Sequence, residues 1–492
     1  MGHGDERLAG RVRRIHALFD EWREKDPRRA FIYLKDEEPV TFADLGALVD
    51  RAEGELRENG VGPGDRVMAV AENCPEHVAL VLACSRVGAW SCGVNARMSP
   101  GEIAAFAAKA EPKVLYFMGE NPRVVKSEGP SEPETGERAE RVAAIIFTSG
   151  TTGAPKGVLM THDGVMHFGR VSAESRALGP QDRSYAYLPM THIFGLGTVL
   201  MASLHAGAAL VMRSRFEPGD ALDALARHGV SQLQGPPAFF GRLLAHMDEA
   251  GIAHPDAPAL RYIYTGAGPL DLSLKRRVEA AFGLPLHHGY GLSEYAGSVH
   301  VSRLNERRDD TSAGYRLEGA ELRIVDPATG RELPAGERGE IWLRGRGLMP
   351  GYFRDEEATR AVMRPGGWYA SGDLGELAPD GALFVVGRLK EMIIRSGFNV
   401  YPAEVEAVLH GFPAIQRAAV VGRREADGNE QVLAFVELRA GAALDERALR
   451  AHLEANLAPY KRPAFVRPVP ELPVSASGKL IKRKLLEIYP PP

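Results

Sequence analysis

Cysteine is nearly missing from this chain: there are three in 492 residues, Cys74, Cys84 and Cys92. All three sit in one apolar region without metal-ligand spacing. A disulfide framework is therefore not expected, and a reducing, cytoplasmic compartment is. Basic charge is not in excess either. The net charge is -4, from 60 Lys and Arg against 64 Asp and Glu, so no global basic field argues for nucleic acid as a partner. Long apolar runs are missing. The most apolar stretch, 77–94, is interrupted by Arg86, whereas an integral membrane span wants about 20 predominantly apolar residues. The N-terminus opens with charges and has no signal-peptide core. No repeat or low-complexity tract stands out. What remains is ordinary globular composition, 45% hydrophobic and 25% charged, in a chain long enough for two or more domains.

The chain alternates strand and helix signals. Val12, Ile15, Leu18, Phe19 and Trp22 share one helical stripe, and Thr41 caps a second helix carrying Phe42, Leu45, Leu48 and Val49. Strands are expected at 66–71 and 113–118, with helices at 76–87 and 100–110. Residues 120–141, rich in charge, Pro, Ser and Gly, read as a surface loop. Alternation resumes with strands at 208–212 and 261–264 and helices at 218–228, 239–249 and 272–282. Such alternation implies α/β architecture with doubly wound parallel sheets. From Ala320 the pattern changes to short strands, 321–325 and 340–343, as in a small antiparallel β subdomain. Past Gly387 it changes again. Helices at 403–410 and 446–457 with strands at 418–421 and 432–438 make a small α+β domain. The boundary is placed in GRLKE, giving domains 1–388 and 389–492.

Chemistry concentrates at residues 145–157, IIFTSGTTGAPKG. An apolar strand breaks into a loop with three glycines, four hydroxyls and Lys156. Loop amides and hydroxyls can donate to phosphate oxygens, and the lysine adds a point charge. Pro155 and Gly157 stand where the Walker A pattern needs Gly and Ser or Thr, so this is a different phosphate cradle. Five further segments carry weaker signals. YAYLPMTHIFGLG (185–197) brings His192 and Phe194 beside glycines. YTGAGP (264–269) is a Gly-rich turn after a strand. HGYGLSE (288–294) flanks an aromatic with glycines and adds Glu294, a hard oxygen ligand suited to Mg²⁺. WYASGDL (368–374) holds Asp373, which spacing alone reads as an Asx turn. SASGK (475–479) puts Lys479 beside a basic tail.

Together and in this order, the six segments resemble the adenylate-forming enzymes: acyl-CoA synthetases, adenylation domains and luciferases. The resemblance covers nearly everything after Phe31. It implies an ATP-dependent carboxylic acid–CoA ligase that forms an acyl-adenylate with release of pyrophosphate, then a thioester with release of AMP. It further implies ATP, Mg²⁺ and coenzyme A as cofactors or co-substrates. By resemblance Thr148, Ser149, Gly150, Thr151, Thr152, Gly153 and Lys156 surround the phosphates. Gly266, Ala267, Gly268, His288, Gly289, Tyr290 and Gly291 surround the adenine, with Tyr290 stacked on it. Ser293, where the family more often has Thr, meets the phosphate, and Glu294 with Thr148 holds the metal. Asp373 and Arg388 meet the ribose. His192, Phe194, Gly195, Gly266 and Gly289 line the acyl pocket. Lys390 is the hinge of a mobile C-terminal domain, Gly397 and Phe398 open the CoA channel, and Lys479 is catalytic together with Glu294, Lys156 and His192. No Asp stands at 191 or 192, which argues against amino acids, and Gly289 in place of an Arg argues against malonate-type dicarboxylates. A medium-chain fatty or an aromatic acid is expected. A stand-alone enzyme loading a carrier protein is the alternative, and a homodimer is left open.

Overall fold

The structure, a computed structural model, describes residues 12–119, 122–127, 129, 131–149, 155–395, 398–424, 429–474 and 480–490. Two large sheets carry the first part of the chain. One has six strands, in the order Arg123–Lys126, Val114–Phe117, Arg66–Ala71, Trp90–Asn95, Val142–Ser149, Pro155–Thr161. Its inner strands are parallel and its two outer pairs antiparallel. The other has nine strands, and its centre runs parallel through Leu286–Leu292, Tyr262–Thr265, Gln232–Gly235, Arg183–Ala186, Ala209–Met212 and Ala30–Tyr33. Helix Pro75–Val87 is buried at every residue except Glu76 and Arg86. A helix apolar all round belongs inside a core. It shares one core with residues of both large sheets, such as Val67, Ile32 and Leu210.

Strands Ala320–Val325, Gly339–Gly345, Trp368–Leu377, Met363–Arg364 and Leu383–Arg388 form an antiparallel five-stranded sheet. Past it, a hairpin (Ile393–Arg395 with Phe398–Val400) and a three-stranded sheet (Ile415–Arg424, Glu430–Leu438, Phe465–Pro468) pack with helices Pro402–His410 and Glu446–Asn456. Their apolar side chains form clusters of their own, separate from the main core.

Two local expectations, for 120–141 and for Asp373, are corrected, and two further elements had no expectation. Residues 120–141 are not merely a loop: Arg123–Lys126 pairs antiparallel with Val114–Phe117, and Gly136–Arg141 is helical. The β-branched Val124 and Val125 favour an edge strand whose exposure hides it from an apolar-pattern reading. The phosphate-loop strand turns back as Pro155–Thr161, which the glycines had obscured. Residues after His192 form a π-helix, Phe194–Met201. A Cβ at Gly195 would lie 2.2 Å from the Pro189 carbonyl oxygen, so the tight approach there requires glycine. Asp373 is not in an isolated turn: it lies inside the strand Trp368–Leu377, directly across from Arg388.

Candidate active site

The two strands of the loop hairpin place Thr148 directly opposite Lys156. Gly150, Thr151, Thr152 and Gly153, between those strands, lie outside the described residues, as do Gly397 and Lys479; Ser149 is described only as backbone. The Lys156 Nζ stands 4.9 Å from the ring centroid of Tyr352. Tyr352 reaches the hairpin through a bridge to Val158, and the Phe353 N–H donates to the Gly157 carbonyl at 2.7 Å. The Tyr352 hydroxyl donates to Glu294 Oε1 at 2.9 Å. Burial, and then the Glu294 charge, push the Tyr352 pKa up, so the phenol stays a donor. Tyr369 joins this cluster, its pKa raised by burial and by Glu294 and Tyr352. One aromatic side chain thus links the lysine and the glutamate that the sequence had set 138 positions apart. Tyr352 and Tyr369 were not singled out by sequence; a tyrosine in the Gly/Pro-rich MPGYF was the available signal.

A second cluster meets at Asp373. The Tyr290 hydroxyl donates to Asp373 Oδ2 at 2.6 Å, and Arg388 Nε lies 2.6 Å from Oδ1. Burial pulls the Arg388 pKa down, and Asp373 and Tyr290 more than offset it. Tyr290 is pushed up by burial first and by Asp373 second. Gly291 sits where a Cβ would come within 2.4 Å of the Gly297 carbonyl oxygen, which lets the two strands close beside Tyr290. His288 is buried, and its Nδ1 pairs with the Thr311 carbonyl at 3.0 Å. Burial lowers its pKa, against the Ser312, Thr311 and Gly268 carbonyls. His288 thus ties its strand to the Thr311–Ser312 segment. At the Gly266–Gly268 turn Ala267 has φ 62°, a left-handed backbone uncommon for alanine.

Three of the residues assigned to the acyl pocket, Gly266, Gly289 and Phe194, meet at Tyr264. A Cβ on Gly289 or Gly266 would lie 2.5 or 2.8 Å from the Tyr264 hydroxyl. Phe194 meets the Tyr264 ring edge-on, with centroids 5.8 Å apart. His192 Nδ1 accepts the Phe194 N–H at 3.2 Å, fixing the start of the π-helix. Ser293 is buried next to Glu294. Lys390 is exposed in the 3-10 turn Leu389–Glu391, just after Arg388. Phe398 is 54% exposed and stacks on Tyr460 at 4.6 Å. It lies far along the chain from the Tyr290 and Tyr352 clusters, and no contact to either is recorded among the described residues.

For Mg²⁺ the donor set fits a nucleotide-dependent site. Among the described residues no three His, Cys, Asp or Glu side chains gather into a protein cage. A single carboxylate, Glu294, with the Thr148 hydroxyl nearby in sequence to the phosphate cradle, suits an ion that prefers to complete its shell with phosphate oxygens and water.

A phosphate-loop hairpin, a Tyr–Asp–Arg cluster and a separately cored C-terminal part define a nucleotide-binding α/β enzyme of two family segments. Residues 19–353 match the AMP-binding enzyme family, and residues 404–479 match the AMP-binding enzyme C-terminal domain. The chain belongs to this family, the adenylate-forming enzymes. It is 32% identical to a feruloyl-CoA synthase of Amycolatopsis sp, over 90% of this chain and 92% of the relative. It is 33% identical to 4-coumarate–CoA ligase 2 of Oryza sativa subsp. japonica, over 90% and 87%. Among solved structures, ATP-bound MatB from Rhodopseudomonas palustris superposes with a TM-score of 0.88 at 29% identity, covering 97% of this chain and 99% of that one.

Proposed function

We propose that this chain is an ATP-dependent carboxylic acid–CoA ligase acting on an aromatic acid. The carboxylate oxygen attacks the α-phosphorus of ATP, the bond from that phosphorus to the bridging oxygen breaks, and pyrophosphate leaves. The CoA sulfur then attacks the acyl carbon, AMP leaves, and the thiol proton passes to solvent. The aromatic acid, and CoA as the acceptor, are favoured over a fatty acid or a carrier protein because similar relatives are named feruloyl-CoA synthase and 4-coumarate–CoA ligase.

The observation that carries the reading is the Lys156–Tyr352–Glu294 arrangement beside the phosphate-loop hairpin. Two anions must approach for the first step. Like charges about 4 Å apart cost on the order of 1 kcal/mol in water and about 4 kcal/mol at a partly dry site. Countercharge fixed in advance removes that barrier. Lys156 supplies one positive charge, and Mg²⁺, held by Glu294 and Thr148, would supply more and polarise the phosphoryl oxygens when bound. Asp373 and Arg388 orient the ribose, and Tyr290 and the Gly266–Gly268 turn enclose the adenine. Lys479, by its motif, meets the acyl carboxylate.

We place the domain boundary between 388 and 389 and the hinge at Lys390. Support comes from the separate apolar clusters after residue 392 and from the exposed turn that holds Lys390. Rotation there would exchange Lys479 for the Gly397–Phe398 segment at the reacting carbonyl, a hinge movement. Three unpaired thiols fit a reducing, cytoplasmic setting. No helix among the described residues is long and apolar enough to cross a membrane.

The test is pyrophosphate release from Mg-ATP over aromatic, fatty and amino acids, each with and without CoA. Fast release with aromatic acids that depends on CoA is expected. Release that CoA leaves unchanged, or a preference for amino acids, would overturn the reading.

A further inference from the structure

Arg176 is a charged side chain in an unusual place. It is 2% exposed. Its guanidinium donates to the Gln234 side-chain oxygen and to the Thr198 carbonyl, both neutral. Its Nε has no partner, and neither has the Gln234 amide nitrogen. Asp182, the carboxylate that acts on it, is taken by Arg261 and by the Ser231 hydroxyl. Burial lowers the Arg176 pKa, and the groups that chiefly oppose this are Tyr262 and Tyr264 rather than an acid. A buried charge without a counterion is costly and, where it persists, needs a reason.

Arg176 lines a small cavity of mixed polarity with Phe168, Thr198, Tyr264, Ser298 and Leu317. The space suits one water-sized group. Two of its walls lie beside residues assigned to the acyl pocket of the proposed ligase. Tyr264 touches the positions of Gly266 and Gly289 and pairs with Ser298 at 3.2 Å. Thr198 sits on the π-helix that begins with Phe194. The cavity therefore adjoins the acyl pocket through Tyr264.

We propose that Arg176 anchors the far end of the acid substrate, selecting acids that carry an accepting oxygen there: a phenol hydroxyl or one oxygen of a second carboxylate. This rests on the ligase reading and narrows it. It narrows the expected medium-chain fatty or aromatic acid to one with an oxygen at its tip, and its carboxylate arm runs against the reading of Gly289, which weighed against malonate-type dicarboxylates. The apolar walls hold the body of the acid, and the guanidinium rewards an oxygen at the tip. Hydrogen bonds to charged groups discriminate by about 10- to 100-fold.

The experiment is calorimetric titration of the full chain, with α,β-methylene-ATP present, by 4-hydroxycinnamate, 4-carboxycinnamate and 4-methylcinnamate. The same acids are then assayed for pyrophosphate release with Mg-ATP. The wild-type protein should bind one or both oxygen-tipped acids at least 10-fold more tightly than the methyl compound, and comparing the two tells phenol from carboxylate. Arg176→Met should bring the affinity for the oxygen-tipped acids down to that for 4-methylcinnamate, and Arg176→Lys should keep part of the preference. Equal binding of all three acids by the wild-type protein, binding of none, or a preference that survives Arg176→Met would overturn the proposal. A variant that loses all three acids alike would mark Arg176 as structural and overturn it too. The wild-type comparison stands even if a variant does not fold. Release with 4-methylcinnamate and no preference leaves the ligase intact and removes the anchor; preference in binding with no release from any acid does the reverse.

Discussion

Tyr290→Phe removes one hydroxyl and leaves the ring, and it should change two quantities in opposite directions. That hydroxyl donates to Asp373 Oδ2 at 2.6 Å, while Oδ1 faces Arg388 Nε at 2.6 Å. Tyr290 is 9% and Asp373 5% exposed, so water cannot readily replace the lost donor. A hydrogen bond to a charged acceptor contributes about 1.5–3 kcal/mol, and that much stability should be lost without nucleotide. On the proposed role of Asp373, ribose hydroxyls arriving there compete with the Tyr290 hydroxyl for its oxygens. In the variant nothing has to be displaced, so nucleotide affinity should rise by up to the same amount, about 10- to 100-fold. The adenine-stacking face is untouched.

Thermal denaturation without ligand and calorimetric titration with α,β-methylene-ATP measure the two effects. A lower Tm together with tighter nucleotide binding is the expected pair. A lower Tm with unchanged or weaker binding would refute the reasoning, because the Tyr290–Asp373 bond would then persist in the complex and Asp373 would not exchange it for ribose.

Glu294→Gln keeps an acceptor for the Tyr352 hydroxyl but loses the charge; pyrophosphate release should fall by about 100-fold with a higher Mg²⁺ requirement, and an unaltered Mg²⁺ titration would remove Glu294 from the metal site. Lys479→Ala should abolish adenylation yet spare thioester formation from supplied acyl-adenylate, and equal loss of both half-reactions would end that division of labour. Lys390→Pro should slow one half-reaction selectively, and unchanged rates for both would sink the hinge. Burial lowers His77, His287 and His300 to about 4 and His162, helped by Arg14, to about 3. Because the unfolded chain protonates these rings near 6.5, it binds more protons than the folded one between about pH 4 and 6.5, so stability is full above that window and falls as pH drops through it. A Tm that stays flat from pH 7 to 4.5 would show that these rings titrate normally.

Local chemistry made much of the fold legible. The strand Arg66–Ala71 and the helix Leu272–Phe282 match their sequence expectations end to end, because a continuous apolar run and a capped amphipathic stripe are written in consecutive residues. Thr41 caps its helix through a full capping box with Asp44. Long-range partners were not legible in the same way. Asp373 in SGD reads locally as a turn, and only the pairing with Leu383–Arg388 makes it a strand residue facing Arg388. Arg176 lies on no motif, and a charged residue at a helix end predicts exposure until Gln234 and Thr198 close over it. The π-helix Phe194–Met201 carries two glycines that lower helix propensity, and close packing at Gly195 overrides that preference.

Tyr352 explains how opposite charges can be stored side by side without cancelling. Neither Lys156 nor Glu294 takes part in an ion pair among the described residues. Instead the lysine lies over the ring and the glutamate accepts the hydroxyl of the same ring. A cation over an aromatic face gains about 0.5–2 kcal/mol, far less than burial of a full ion pair would fix in place. Both groups are thus held in position while each keeps most of its charge for an incoming ligand. On the proposed roles of the two residues, a direct Lys156–Glu294 bridge would have to be broken before phosphate and metal could bind, at a cost in every turnover. With the tyrosine between them, the lysine needs only to leave a ring face and the carboxylate keeps a second oxygen for the ion. Such an arrangement would give the proposed ligase the preorganisation that electrostatic catalysis requires, through an aromatic spacer outside all six motifs that carry the family resemblance.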